Sequence, residues 1–204
     1  MASCLMHISI AKKVNETLHL NEEEFYLGTI APDISKQMGL PRRISHFQDT
    51  EDSLPDLNRF LRLYKEDLKN PFTLGYFLHL YADYIWSNQY TDPIFNSPIR
   101  MINGEEILMP EKHMKKILYG DYSTLNQTLI DHYNLDLSIF YNEVKTPNTK
   151  IREIPLSSLQ VLVDKMGVIL LETSRPKMYL FEEKEIFSYI NEVANGFIKW
   201  YLNK

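Results

Sequence analysis

The chain has 204 residues, 44% of them hydrophobic and 24% charged, a composition that excludes wholesale disorder and fits one globular domain with a sizeable core. Lys+Arg 22 against Asp+Glu 27 gives a net charge of −5 and no long basic cluster occurs, so a duplex nucleic-acid partner is not expected. Seven glycines and one cysteine leave no glycine-rich phosphate loop, no disulfide framework and no cysteine-rich zinc motif.

The opening stretch, MASCLMHISIAKKV, has no basic segment followed by a long apolar run, and no window is apolar enough for a membrane span; a cytoplasmic protein without a transmembrane segment is expected. Helical spacing of Ile8, Ala11, Val14 and Leu18 predicts a first helix. Asn21 followed by Glu22, Glu23 and Glu24 predicts the capped start of a second. Pro32, Gly39 and Pro41 forbid one continuous helix over 32–55, which reads as a long ordered loop.

Asn70-Pro71 starts the strongest helix, expected over 71–88 and apolar nearly all round, hence central. Further helical spacing covers 111–119, 122–133, 137–144, 156–173 and 181–201. Asn103-Gly104 is the one hairpin-like signal, a short ribbon or only a turn within 99–108. The fold class expected is an all-α, single-domain multi-helix bundle, with a metal-site half over about 1–90 and a divergent helical half over about 91–204.

Chemistry concentrates in that first half. His79 and Asp83 stand four residues apart on the apolar helix, so imidazole and carboxylate share a face at a spacing that one divalent cation can bridge. A buried carboxylate needs compensation, which either a hydrogen-bonded histidine or a metal provides. Asp33, in the apolar stretch FYLGTIAPDI, and His46, between Ser45 and Phe47, complete a set of two nitrogen and two oxygen ligands suited to zinc. His7, beside Ile8 and Ala11, supplies a fifth group. Arg42 and Arg43, just before His46, are weaker candidates for contact with a substrate phosphate. His19, His113 and His132 read as ordinary surface or helix-end residues.

The ordered segments His7-Ile8-x-Ile10-Ala11, Leu27-Gly28-x-Ile30-Ala31-Pro32-Asp33, Ser45-His46-Phe47 and Gly75 through Trp86 with His79-x-x-x-Asp83 resemble the zinc-dependent phospholipase C family and its single-strand nuclease relatives. The resemblance covers about residues 5–90. It implies an all-helical fold, a metal cluster in a cleft and hydrolysis of a phosphoester, from a small molecule or a lipid head group, by a metal-activated water. By this likeness Asp33, His46, His79 and Asp83 would hold one ion and His7 with Asp83 a second; Asp33 is in addition our candidate for the catalytic proton acceptor. The pattern departs from the family at the start, where secreted members offer a mature N-terminal Trp and this sequence reads Met1-Ala2-Ser3. It departs again after Asp83, where the family's further His, His and Glu are unmatched. One or two zinc ions are therefore expected rather than three. A metal-stabilised scaffold without catalysis is the alternative. Gly28 and Gly75, each close before a ligand-bearing stretch, are expected to permit close backbone approach.

Overall fold

In a computed structural model, which describes residues 2–97, 99–102, 105–170 and 178–204, the expected all-α architecture is present. Helix α1 (Cys4–Leu18) starts at Ser3, whose side chain accepts from the Met6 amide, and ends at His19 in the left-handed region. Asn21 caps α2 (Glu22–Ile30) by accepting from the Glu24 amide, with three glutamates in the first turn. The 32–55 segment contains more helix than a loop: a 3-10 turn over Ala31–Asp33, then α3 (Ile34–Met38) and α4 (Arg42–Ser45). Gly39, at φ 66°, separates the two, so proline and glycine divide the segment into single turns without abolishing helical backbone. Helix α5 (Leu57–Tyr64) follows, capped by Asp56.

The central helix, α6 (Pro71–Ile85), has Asn70 as its cap and Pro71 in its first turn. Only Pro71, Tyr81 and Tyr84 escape burial along it, which is what all-round apolarity requires. It continues as a π-helical turn over Trp86–Thr91 and a short α7 (Asp92–Phe95). Strands β1 (Ile99–Ile102) and β2 (Glu105–Leu108) then pair antiparallel, Ile99 opposite Leu108 and Ile102 opposite Glu105, and the Asn103-Gly104 signal lies outside the described residues.

The stretches 111–119 and 122–133 form one helix, α8 (Glu111–Tyr133), rather than two. Asp121, at the point where the spacing breaks, is buried and accepts from the backbone amides of Tyr179 and Leu180, so tertiary contacts satisfy a residue that locally reads as an interruption. The helix expected over 137–144 is reduced to a 3-10 turn at Ser138–Phe140, where Asp136 accepts from the amide and hydroxyl of Ser138. Helices α9 (Leu159–Leu170) and α10 (Glu183–Leu202) complete the chain; residues 171–173 of the expected 156–173 helix lie outside the described residues.

The core that positions the site is the crossing of α2 and α6. A Cβ on Gly28 would overlap the Phe72 carbonyl, and one on Gly75 would overlap the Phe25 carbonyl, so the two backbones touch through paired glycines as expected. Close approach has a consequence for chemistry: it brings the Thr29 carbonyl of α2 to the His79 ring of α6.

Candidate metal centre

His7 is on α1, Asp33 in the turn after α2, His46 directly after α4, and His79 with Asp83 on α6; all are buried. The structure thus brings the five sequence candidates into one cluster. Phe47 follows His46 with φ 55°, a left-handed backbone that costs a bulky side chain roughly 1–2 kcal/mol. Its ring is held by edge contacts with Phe60, Tyr64 and Tyr76, which fix the bend that turns His46 inward.

The histidine tautomers follow from their partners. His79 Nδ1 lies 2.8 Å from the Thr29 carbonyl, which can only accept, so Nδ1 carries the proton and Nε2 bears a lone pair. His46 Nδ1 lies 2.9 Å from the Ser45 hydroxyl and 3.3 Å from the Arg42 carbonyl; because that hydroxyl already donates to the same carbonyl, His46 Nδ1 is again the donor. The two Nε2 atoms then face each other at 3.1 Å. Two lone pairs at that distance repel unless a proton or a cation lies between them.

Around this pair, His46 Nε2 is 3.6 Å from Asp33 Oδ1 and 3.7 Å from Asp83 Oδ2, and His79 Nε2 is 3.5 Å from Asp83 Oδ2. Donors 2.0–2.2 Å from a tetrahedral zinc stand roughly 3.3–3.6 Å apart, close to these separations. His7 stacks on His79 with ring centroids 3.9 Å apart and places Nε2 3.4 Å from Asp83 Oδ1. Both ring nitrogens of His7 and Oδ1 of Asp33 are buried without a hydrogen bond. Orphaned buried lone pairs, Asp33 Oδ1 beside His46 and His7 Nε2 beside Asp83, fit metal ions, since leaving them unpaired is costly.

Two groups could each hold an ion: Asp33, His46 and His79, and His7, His79 and Asp83. His79 belongs to both, yet its single free Nε2 lone pair serves one ion at a time. A carboxylate has no such limit, so Asp83, with Oδ1 toward His7 and Oδ2 toward His46 and His79, is the chemically able bridge.

Electrostatics agree with the geometry. Burial works against the charged form of Asp33, yet His46 and His79 hold its carboxyl below the usual carboxylate range. Asp83 is likewise held well below that range against burial, with His79 and His7 among the stabilising neighbours. Burial, with Arg42 and His79, pushes His46 down to about 4 against the pull of Asp33. For His79 burial is outweighed by Asp83 and Asp33, and its pKa is raised.

Arg42 and Arg43 separate. Arg42 donates from Nη2 to Asp83 Oδ2 at 2.8 Å and from Nη1 to Gln48 Oε1 at 2.7 Å, whereas Arg43 is exposed. The Ala2 amide also donates to Asp83 Oδ1 at 2.8 Å. These partners of Asp83, and the Thr29 carbonyl, had no signal in residue spacing. Of the other histidines, His19 caps α1 and His132 stacks on Phe187, consistent with ordinary helix-end roles.

The description zinc dependent phospholipase C belongs to the family model that matches residues 6–154, more than two thirds of the chain and all five clustered residues. The chain belongs to the zinc-dependent phospholipase C family. The match runs well beyond the residue 90 at which the sequence resemblance stopped, through α8 and the following segment. No curated protein and no solved structure matched the chain. Zinc is the metal that this membership implies, and the donor set of three histidines and two carboxylates fits it. No described helix is long and apolar enough to cross a membrane.

Proposed function

We propose that this member of the zinc-dependent phospholipase C family is a hydrolase of phosphodiesters, with Asp33, His46 and His79 holding a catalytic zinc and His7 with Asp83 supporting a second ion. The observation that carries the reading is the facing pair of Nε2 lone pairs on His46 and His79 beside the orphaned Oδ1 of Asp33. Three protein ligands leave a position for water, the arrangement of catalytic rather than structural zinc.

When bound, zinc would supply Lewis acidity to a phosphoryl oxygen and bring a water's pKa down to roughly 7. The chain's own groups do the rest. Asp33 borders a cleft, so it can face the reacting water and accept its proton. The Thr29 carbonyl fixes the His79 ring, and Ser45 with the Arg42 carbonyl fixes His46, so that neither ligand needs to reorganise. Arg42 neutralises one oxygen of Asp83 and stands close enough to the cluster to meet a phosphate.

The test is zinc content of the purified chain by elemental analysis, with hydrolysis of bis-p-nitrophenyl phosphate before and after chelation. One or two ions per chain and chelator-sensitive hydrolysis support the reading. Stoichiometric zinc with no cleavage of either a phosphodiester or a phosphomonoester would instead favour a metal-stabilised scaffold.

A further inference from the structure

A cleft of about 250 Å³ opens between α3, α8 and α9 and reaches the cluster at Asp33. Met166 and Leu170 give it an apolar wall, and Ser123 and Asn126 give it polar groups able to hydrogen-bond an alcohol. Among the described residues that line it, Lys36 is the one charged side chain other than Asp33. Its ammonium lies 4.5 Å from the centroid of the Tyr119 ring. A second ammonium, that of Lys165, is brought to the same rim by donating to the Gln37 carbonyl at 2.8 Å.

A cationic alcohol such as choline is bound by free carboxylates and open aromatic faces. Here the Tyr119 face carries Lys36. Tyr122 packs its ring against Trp86 and Tyr119, and its hydroxyl accepts from Trp86 Nε1 at 2.8 Å. Asp33 Oδ1 faces inward, 3.6 Å from His46 Nε2, and in the hydrolase reading its charge is committed to the zinc. The geometry therefore points to a cleft that selects phosphoesters of uncharged, hydroxyl-bearing or anionic alcohols and rejects those of cationic alcohols, with Lys36 as the residue that sets the preference. This inference rests on the hydrolase reading and names its substrate class.

The experiment compares two diesters on the zinc-loaded full chain, p-nitrophenyl esters of phosphocholine and of glycerol phosphate, which share a reporter and differ in the second alcohol. The wild type is expected to favour the glycerol ester in kcat/KM by roughly fivefold or more, the scale of one exposed charge. Lys36→Glu is expected to reverse the preference through KM, and Lys36→Gln to remove it, both with wild-type zinc content. A wild-type preference for the choline ester, or an unchanged ratio in Lys36→Glu, would overturn the inference. Should the wild type cleave neither ester, the hydrolase reading falls while the cleft stays testable: calorimetry must then show glycerol 3-phosphate binding the zinc-loaded chain more tightly than phosphocholine, and equal affinities would sink it.

Discussion

Arg42 and Asp83, 41 residues apart in the chain, form a part-buried ion pair at 2.8 Å inside the group of side chains that would hold zinc. The guanidinium supplies part of the positive charge that two clustered carboxylates require, and a metal supplies the same charge more strongly. Arg42→Met should therefore lower the melting temperature of the chelated protein, by an amount equivalent to about 2 kcal/mol, less than a fully buried pair because a fifth of the Arg42 side chain is exposed. With zinc present the deficit should shrink. An equal deficit with and without zinc, read by calorimetric melting, would show that Arg42 acts only through packing.

His79 supplies one of the three ligands assigned to the catalytic ion, and its ring also stacks on His7, so its loss removes a ligand from the first group and a support from the second. We expect His79→Ala to lose more zinc than His7→Ala does, measured as ions per folded chain after gel filtration. Asp83→Ala should also lose zinc, and its apo form should be destabilised because Arg42 is left facing a cavity without a counter-charge. Full zinc content in either His79→Ala or Asp83→Ala would refute the ligand assignment.

The α2–α6 crossing makes a prediction about stability that also reaches the site. Gly28→Ala or Gly75→Ala sets a Cβ against a backbone carbonyl that cannot rotate away, and each should cost about 3 kcal/mol by denaturant titration. Zinc affinity should fall with it, because separating the helices pulls the Thr29 carbonyl from His79. Gly39→Ala provides the contrast: open space surrounds it, and only its φ of 66° is penalised, at roughly 1–2 kcal/mol.

Acid should weaken the metal-free protein in a defined window. His46 titrates at about 4 in the folded protein against 6.5 when unexposed to the fold, so between those values the unfolded chain binds the extra proton. Stability must then fall as pH drops from about 6.5 to about 4, by at most about 3 kcal/mol for this group. His7, also lowered by burial, adds in the same direction. His79 is raised, and its contribution is already complete below 6.5, so it leaves the slope in this window unchanged. Below about 4 the lowered carboxyls of Asp33 and Asp83 begin to lose their stabilisation as well. Urea titrations in chelator across pH 4–7 should show the slope in the wild type and a shallower one in His46→Gln.

What the sequence determined by itself is whatever depends on neighbours along the chain. Asn21 and Asn70 mark helix starts because an Asn side chain caps an amide three residues on, and His79 and Asp83 share a face because four residues complete about one turn. The helical class and the five clustered side chains were legible for that reason, together with the ordered motifs around them. Tertiary structure decided the rest. Residues 111–133 run as one helix because Asp121 finds backbone partners near residue 180, and Arg42 turns to Asp83 rather than outward because α4 is tied to α6, where Tyr76 donates to the Ser45 carbonyl. The Lys36–Tyr119 rim joins residues 83 positions apart, on helices that no local spacing relates. Such contacts depend on how rigid elements dock, and docking is set by the shape of the whole core.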